Sequence, residues 1–241
     1  MDRIAAQLRK NILKASYDAG ACHIGSALSC VEIIVSLYSV LTKKDAFIFA
    51  KASGVAALYS MLAYKKIIPY GRVAYYLKKY PLISREVPSI IWSGGSLGQG
   101  LSVAIGLALG DRKRKVYCLI SDGELNSGNT WEALLFGAHH KLSNLIVLID
   151  RNGLQACGAT ENILKIEPLK KKLETFNWRV MEIDGHNIGQ ITKSFKQKSD
   201  KPKIIIAKTI KGKGVSFCEN DYRWHYRNLT PGLLKEALED L

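Results

Sequence analysis

Apolar residues recur at helical spacing from the start of the chain. Ile4, Leu8, Ile12 and Ala15 share one face, which predicts an opening helix. Ser29 followed by Glu32 has the spacing of a capping box, with the apolar stretch "VEIIVSLYSVL" (31–41) as its helix. Residues 98–110, "GQGLSVAIGLALG", predict a helix whose small residues allow close packing against other backbone. From residue 116 the rhythm changes. Short apolar runs of strand type, "VYCLI" (116–120), "LIVLI" (145–149), "RVMEI" (179–183) and "IIIA" (204–207), alternate with helical stretches near 130–140, 167–176 and 187–197. Strands that are apolar on both faces and alternate with helices predict an α/β fold: a parallel sheet with helices on both faces, in three layers. Thr230 with Pro231 at the first helical position opens a last helix.

Composition narrows the class. The chain has 241 residues, 47% hydrophobic and 23% charged, as globular domains do. It is read as a single domain over 1–241. No apolar run approaches the roughly 18 residues of a membrane span, and the amphipathic N-terminus lacks the continuous apolar core of a signal peptide. Cys22, Cys30, Cys118, Cys157 and Cys218 are odd in number and dispersed, without a C-x-x-C pair. A disulfide framework or zinc site is not expected, and a reducing cytoplasm is. The formal charge of +14 is spread over scattered lysines. It predicts a solvated basic surface. An anionic small ligand or an acidic protein partner comes ahead of nucleic acid. No aromatic-interleaved basic motif speaks for the last.

Two strand exits carry the candidate chemistry. Asp122 and Gly123 follow the first strand, and Asn152 and Gly153 follow the second, 30 residues on from Asp122. One β-α-β unit separates them, so a carboxylate and an amide oxygen are expected at the same sheet edge, where ligands of open parallel sheets bind. Such oxygens suit a hard cation such as Mg²⁺, completed by substrate phosphates. Gly153 would turn the backbone so that a nearby carbonyl, that of Leu154, joins them. Gly123 would let a phosphate approach the backbone, and the helix start near "NTWEA" would favour its charge. Turn and cap roles are the plain alternative for Asp122 and Asn152.

"SDGELNSGNTWEA" (121–133) with "DRNGL" (150–154) resembles the thiamine diphosphate motif, in which G-D-G is followed about one β-α-β unit later by Asn. Four further stretches resemble transketolases in order. These are "HIGSALSCVEI" (23–33), "SGGSLGQGLSVAIGLAL" (93–109), "IDGHN" (183–187) and "AKTIKGKGVSFCENDYRWH" (207–225). The chain is similar to the N-terminal, diphosphate-binding half of that family over nearly its whole length.

The resemblance implies a thiamine diphosphate-binding fold and assigns roles. Asp122, Asn152 and the Leu154 carbonyl would hold Mg²⁺, for which Ca²⁺ or Mn²⁺ can substitute. Gly95, Ser96, Leu97, Gly123 and Glu124 would join the metal ligands around the cofactor. His23 and His225 would face the diphosphate and the reaction centre and serve catalysis. Glu132 would match an interface glutamate, while His139, His140 and His186 would be structural. The family's pyrimidine-binding domain lies beyond these motifs. The resemblance therefore implies a split enzyme, completed by a C-terminal transketolase-like subunit in an α2β2 heterotetramer. Its activity would be transfer of a two-carbon ketol unit from a ketose to an aldose.

Three replacements depart from the family: Ser53 in "KASG" and Tyr80 in "KYP" stand for histidines, and Ser127 in "SDGELNSG" for a glutamate. A fourth, Ser121, stands in place of the leading glycine. Serine does not titrate near neutrality and reaches less far than imidazole. Transfer of an acetyl or acyl unit, for example from pyruvate, to a keto-sugar is therefore an alternative, as is a non-catalytic subunit that binds the cofactor. Neither a nicotinamide dehydrogenase nor a phosphate-loop nucleotidase is expected, because G-x-G-x-x-G after a strand and G-x-x-x-x-G-K-[ST] are both absent.

Overall fold

All four apolar runs form strands, and a fifth joins them. The computed structural model describes residues 1–241. Its helices and strands run α1 (Asp2–Ala19), α2 (Ile24–Ser29), α3 (Val31–Val40), β1 (Ala46–Phe49), α4 (Val55–Tyr64), α5 (Val73–Lys79), α6 (Gln99–Gly110), β2 (Val116–Ser121), α7 (Gly128–His139) and β3 (Leu145–Arg151). The chain continues through α8 (Thr160–Ile163), α9 (Leu169–Thr175), β4 (Arg179–Asp184), α10 (Ile188–Lys196), β5 (Lys203–Lys208) and α11 (Pro231–Glu239).

The five strands make one sheet in the order β1-β2-β3-β5-β4. Every pairing is parallel. The chain passes from β3 to β4 in one direction and returns from β4 to β5 in the other. Right-handed crossovers then place α9 and α10 on opposite faces. α7 packs on α6, and α10 packs on α3, which completes three layers. β2 and β3 are almost wholly buried, as strands covered on both faces must be. No helix is long and apolar enough to cross a membrane.

β1 and the helices α4 and α5 carry no periodic signal. β1 is only four residues long. α4 is buried from Val55 to Ala63, so its sequence is apolar all round and lacks an amphipathic stripe. The capping box at Ser29 and Glu32 does not form. Ser29 ends α2, and its hydroxyl donates to Asp150 Oδ2 at 2.6 Å. Glu32 pairs with Arg9 at 2.7 Å and with His186 at 2.9 Å. Charged partners outcompete a backbone amide for that carboxylate. A capping box does form at the exit of β2, where Ser121 and Glu124 bond each other's backbone. The Thr230 cap of α11 is present, its hydroxyl accepting from Leu233 N. Close packing by small residues holds in α6: a Cβ on Gly100 would lie 2.4 Å from that of Ala50.

Candidate functional site

Register brings the two strand exits together. Ser121 of β2 stands beside Asp150 of β3, so Asp122 and Asn152 leave the sheet at the same edge. The loops then touch: the amide of Gly153 donates to Asp122 Oδ2 at 2.8 Å. Gly153 has φ +77°, a left-handed turn that a glycine adopts without strain. Arg151 Nη1 donates to the same Oδ2 at 3.0 Å, while its other nitrogen pairs with Glu161 and Glu167. Asn152 Oδ1 accepts from Leu154 N at 3.0 Å.

A cavity of about 270 Å³ opens on this edge. His23, Gly95, Leu97, Asp122, Gly123, Asn152, Leu154 and His225 all line it. Two expected residues stand outside the lining. Ser96 is exposed on the same turn. Glu124 is buried and braces the wall, accepting from Ser121 N at 2.7 Å and Gly98 N at 3.4 Å. A larger cavity, about 540 Å³, lies beside β1 against Phe47, Phe49 and Trp92. It contains none of these groups, so chemistry and not volume places the site.

The lining also holds groups that no sequence signal marked. Lys51 and Lys211 are each 1% exposed. Lys51 follows β1, the strand without a signal, and pairs with Asp150 at 3.2 Å. Burial lowers its pKa, Asp150 and Cys30 raise it, and the net shift is upward. Lys211 lies within the "KTIKGKG" stretch, and its only close partners are uncharged. Its Nζ donates to the carbonyls of Leu154 (3.3 Å) and Gln155 (3.2 Å) and lies 3.2 Å from His225 Nδ1. Burial, reinforced by Lys51, brings its pKa down to about 8.

His23 and His225 meet edge to face, with ring centroids 4.7 Å apart. The His23 amide donates to the His225 carbonyl at 2.9 Å, and His23 holds a left-handed backbone (φ 68°) uncommon for such a residue. Burial and the two lysines push both imidazoles down, His225 to about 3. Both are therefore neutral at physiological pH. Burial and Asp150 raise the Asp122 carboxyl against the Gly153 amide and Arg151.

The buried Lys211 ammonium has a measurable consequence. Its cost is fully present below about pH 8. Between there and the ordinary lysine value of 10.5, the unfolded chain binds the proton more readily, so stability rises with pH. Lys211→Met is therefore expected to be more stable than the parent at pH 7, by a margin that shrinks towards about pH 10. Urea midpoints at the two pH values check this, and a constant margin contradicts it.

The remaining histidines lie elsewhere. His186 Nε2 accepts from Ile210 N at 2.9 Å, so its proton sits on Nδ1, facing Glu32. It is a brace between segments. His139 and His140 close α7, outside the cavity.

Residues 2–231 match the family model described as "Transketolase, thiamine diphosphate binding domain". The chain belongs to the transketolase family. It is 35% identical to one of the subunits of the apulose-4-phosphate transketolase of Phocaeicola vulgatus, over 97% of this chain and 90% of that one. It is also 35% identical to the 6-deoxy-6-sulfo-D-fructose transketolase subunit SqwG of a Clostridium species, over 97% and 92%. Among solved structures, the transketolase of Campylobacter jejuni superposes with a TM-score of 0.90 at 26% identity, covering 98% of this chain but 42% of that one. This transketolase-family chain thus spans less than half of a full-length relative and nearly all of the separate subunits. Of its departures from the family pattern, Ser53 lines the cavity. Tyr80 does not, its ring stacking on Tyr76 with centroids 6.4 Å apart. Ser127 stands at the N-cap of α7 and Glu132 is exposed on that helix.

Proposed function

We propose that this chain is the N-terminal subunit of a thiamine diphosphate- and Mg²⁺-dependent transketolase, which moves a two-carbon ketol unit from a ketose donor to an aldose acceptor. One juxtaposition carries the reading: a buried carboxylate with one free oxygen faces a buried ammonium that lacks an acidic partner. Asp122 accepts all its hydrogen bonds through Oδ2, which leaves Oδ1 to a cation. Lys211 has no carboxylate partner and favours an anion.

The donor set fits a magnesium diphosphate. There is no cluster of three His, Cys, Asp or Glu. One carboxylate, one amide oxygen and one carbonyl is the sparse set that Mg²⁺ accepts when phosphate and water complete it. Asp122 Oδ1, Asn152 Oδ1 and the Leu154 carbonyl would hold the ion, each retaining a lone pair. Gly123 would let the diphosphate approach the backbone, Ser96 would add a hydroxyl at the rim, and Lys51 and Lys211 would offset its charge. When bound, the cofactor supplies a carbanion centre that breaks and re-forms a carbon–carbon bond beside a carbonyl. His23 and His225, neutral and at the cavity wall, would take and return a proton on the substrate oxygens. Glu124 would act by holding the Asp122 turn in place.

The substrates are sugars, by the names of the relatives. Ser53 lies at the wall where the family pattern has a histidine. This favours a change of substrate over a change of cofactor, and leaves acyl transfer to a keto-sugar as the second reading. α6 and α7 pack together and leave Val103, Leu109, Leu135 and Phe136 exposed. That apolar face suits a C-terminal transketolase-like subunit in an α2β2 assembly. The dispersed cysteines fit a cytoplasmic enzyme. Turnover of ketose and aldose pairs, with and without the C-terminal partner, is the test. The expected result is none from this chain alone and turnover from the complex. Full activity of the isolated chain would refute the split arrangement.

A further inference from the structure

Three donors converge on one oxygen of Asp122. Arg151 Nη1 lies 3.0 Å from Oδ2, Gly153 N lies 2.8 Å away and Thr160 Oγ1 lies 3.4 Å away. Oδ1 accepts from none of them. Arg151 is the charged member of the set, and charge-assisted bonds are roughly twice as strong as neutral ones. It is the last residue of β3, so register fixes its reach to the exit of β2. Its second nitrogen is tied to Glu161 at 2.8 Å and Glu167 at 3.1 Å, which keeps the fork from swinging away.

We infer that Arg151 sets which divalent ion the site prefers, by pinning Oδ2 of Asp122 and leaving only Oδ1 to the metal. The inference rests on the proposed cofactor reading and adds a specificity-determining residue to it. Mg²⁺ demands near-octahedral geometry, which suits one oxygen per carboxylate. Ca²⁺ takes six to eight oxygens and accepts both oxygens of one carboxylate. A carboxylate clamped at one end therefore selects for the smaller ion; without Arg151, Oδ2 keeps only the neutral Gly153 amide and the Thr160 hydroxyl, a weaker clamp against which Ca²⁺ competes for the second oxygen.

The ratio of affinities isolates this effect. Removing a guanidinium raises the attraction for every divalent ion alike, so that contribution cancels between Ca²⁺ and Mg²⁺. A purely structural loosening weakens both ions together and also leaves the ratio unchanged.

The experiment uses the 241-residue chain in complex with its C-terminal partner, with thiamine diphosphate titrated calorimetrically in Mg²⁺ and in Ca²⁺. Arg151→Gln is expected to raise the Ca²⁺ to Mg²⁺ affinity ratio roughly tenfold, the lower end of what supporting residues of metal sites give. Arg151→Lys keeps a cation against Oδ2 and is expected to hold the parent ratio. An unchanged ratio in Arg151→Gln overturns the inference. If that variant does not fold, Glu161→Gln, which loosens the anchor of Arg151, carries the same test with a smaller rise, and no rise overturns it. A complex of the parent chain and its C-terminal partner that takes up the cofactor with neither ion removes the cofactor reading itself, and this inference with it.

Discussion

Asp122→Ala is expected to weaken uptake of thiamine diphosphate with Mg²⁺ by more than about 100-fold, beyond the roughly 10–100-fold typical of residues that only support metal ligands. Asp122 is the one carboxylate lining the cavity, and it is buried to 1% exposure at the meeting point of the two strand-exit loops. Neither the amide of Asn152 nor the carbonyl of Leu154 can replace its charge. The fold should survive, because Arg151 keeps Glu161 and Glu167 as partners. Asp122→Asn preserves shape without charge and should fall between parent and alanine. Calorimetric titration of the three chains, with melting curves as the control for folding, checks the order. Parent-like affinity in Asp122→Ala would mean that the cavity binds its ligand without a metal held at this residue.

Asp150→Asn is expected to lower the stability of the chain by about 3–5 kcal/mol, the cost of leaving a buried charge without its partner. Asp150 is fully buried. It receives Ser29 Oγ at 2.6 Å, Thr209 Oγ1, and Lys51 Nζ at 3.2 Å. Asparagine leaves the Lys51 ammonium buried, with a carbonyl and a hydroxyl for company. Lys51→Met should cost less, because Asp150 keeps two hydroxyl donors. Denaturant unfolding measures both. A loss below about 1 kcal/mol in Asp150→Asn, or a larger loss in Lys51→Met, would show that the pair is not the anchor its geometry describes.

The two effects separate the parts of one edge. Asp122 faces the cavity and has an oxygen to spare. Asp150 sits one layer beneath, fully engaged, and fixes the lysine that faces the same cavity. Position relative to the last hydrogen-bonded register pair decides the difference: Asp150 is inside the sheet, beside Ser121, and Asp122 is the first residue past it.

Much of this was legible in the sequence. The strands at 116, 145 and 204 are apolar runs whose burial on both faces dictates their composition, while β4, at the sheet edge, keeps only Val180 buried and shows a weaker pattern. The loops at Asp122 and Asn152 could be placed because the two residues lie one β-α-β unit apart, each at a strand exit, and together carry what neither turn pair signals alone. β1 and α4 were not legible. One is too short to show alternation, and the other is apolar on every side. With β1 unseen, Lys51 could not be placed at a strand end. Lys211 was hidden among other lysines, because nothing in "KTIKGKG" tells its buried ammonium from those of Lys208 and Lys213. Arg151 was hidden for a different reason. Its partners at Glu161 and Glu167 come together only through the fold of the segment between β3 and α9. The misread cap at Ser29 has the same origin. Short-range spacing offered a backbone partner, while the tertiary structure supplied Asp150, Arg9 and His186, which bind these side chains more strongly.

The central claim is that one divalent ion joins the two strand-exit loops and carries the diphosphate. A crystal structure of the chain grown with thiamine diphosphate and Mn²⁺ in place of Mg²⁺ tests it most directly, through the anomalous signal of the metal. The account predicts one strong peak roughly 2.0–2.3 Å from Asp122 Oδ1, Asn152 Oδ1 and the Leu154 carbonyl, with diphosphate oxygens completing the shell. Cofactor density in the cavity with no metal peak at Asp122, or a peak bound elsewhere, would contradict it.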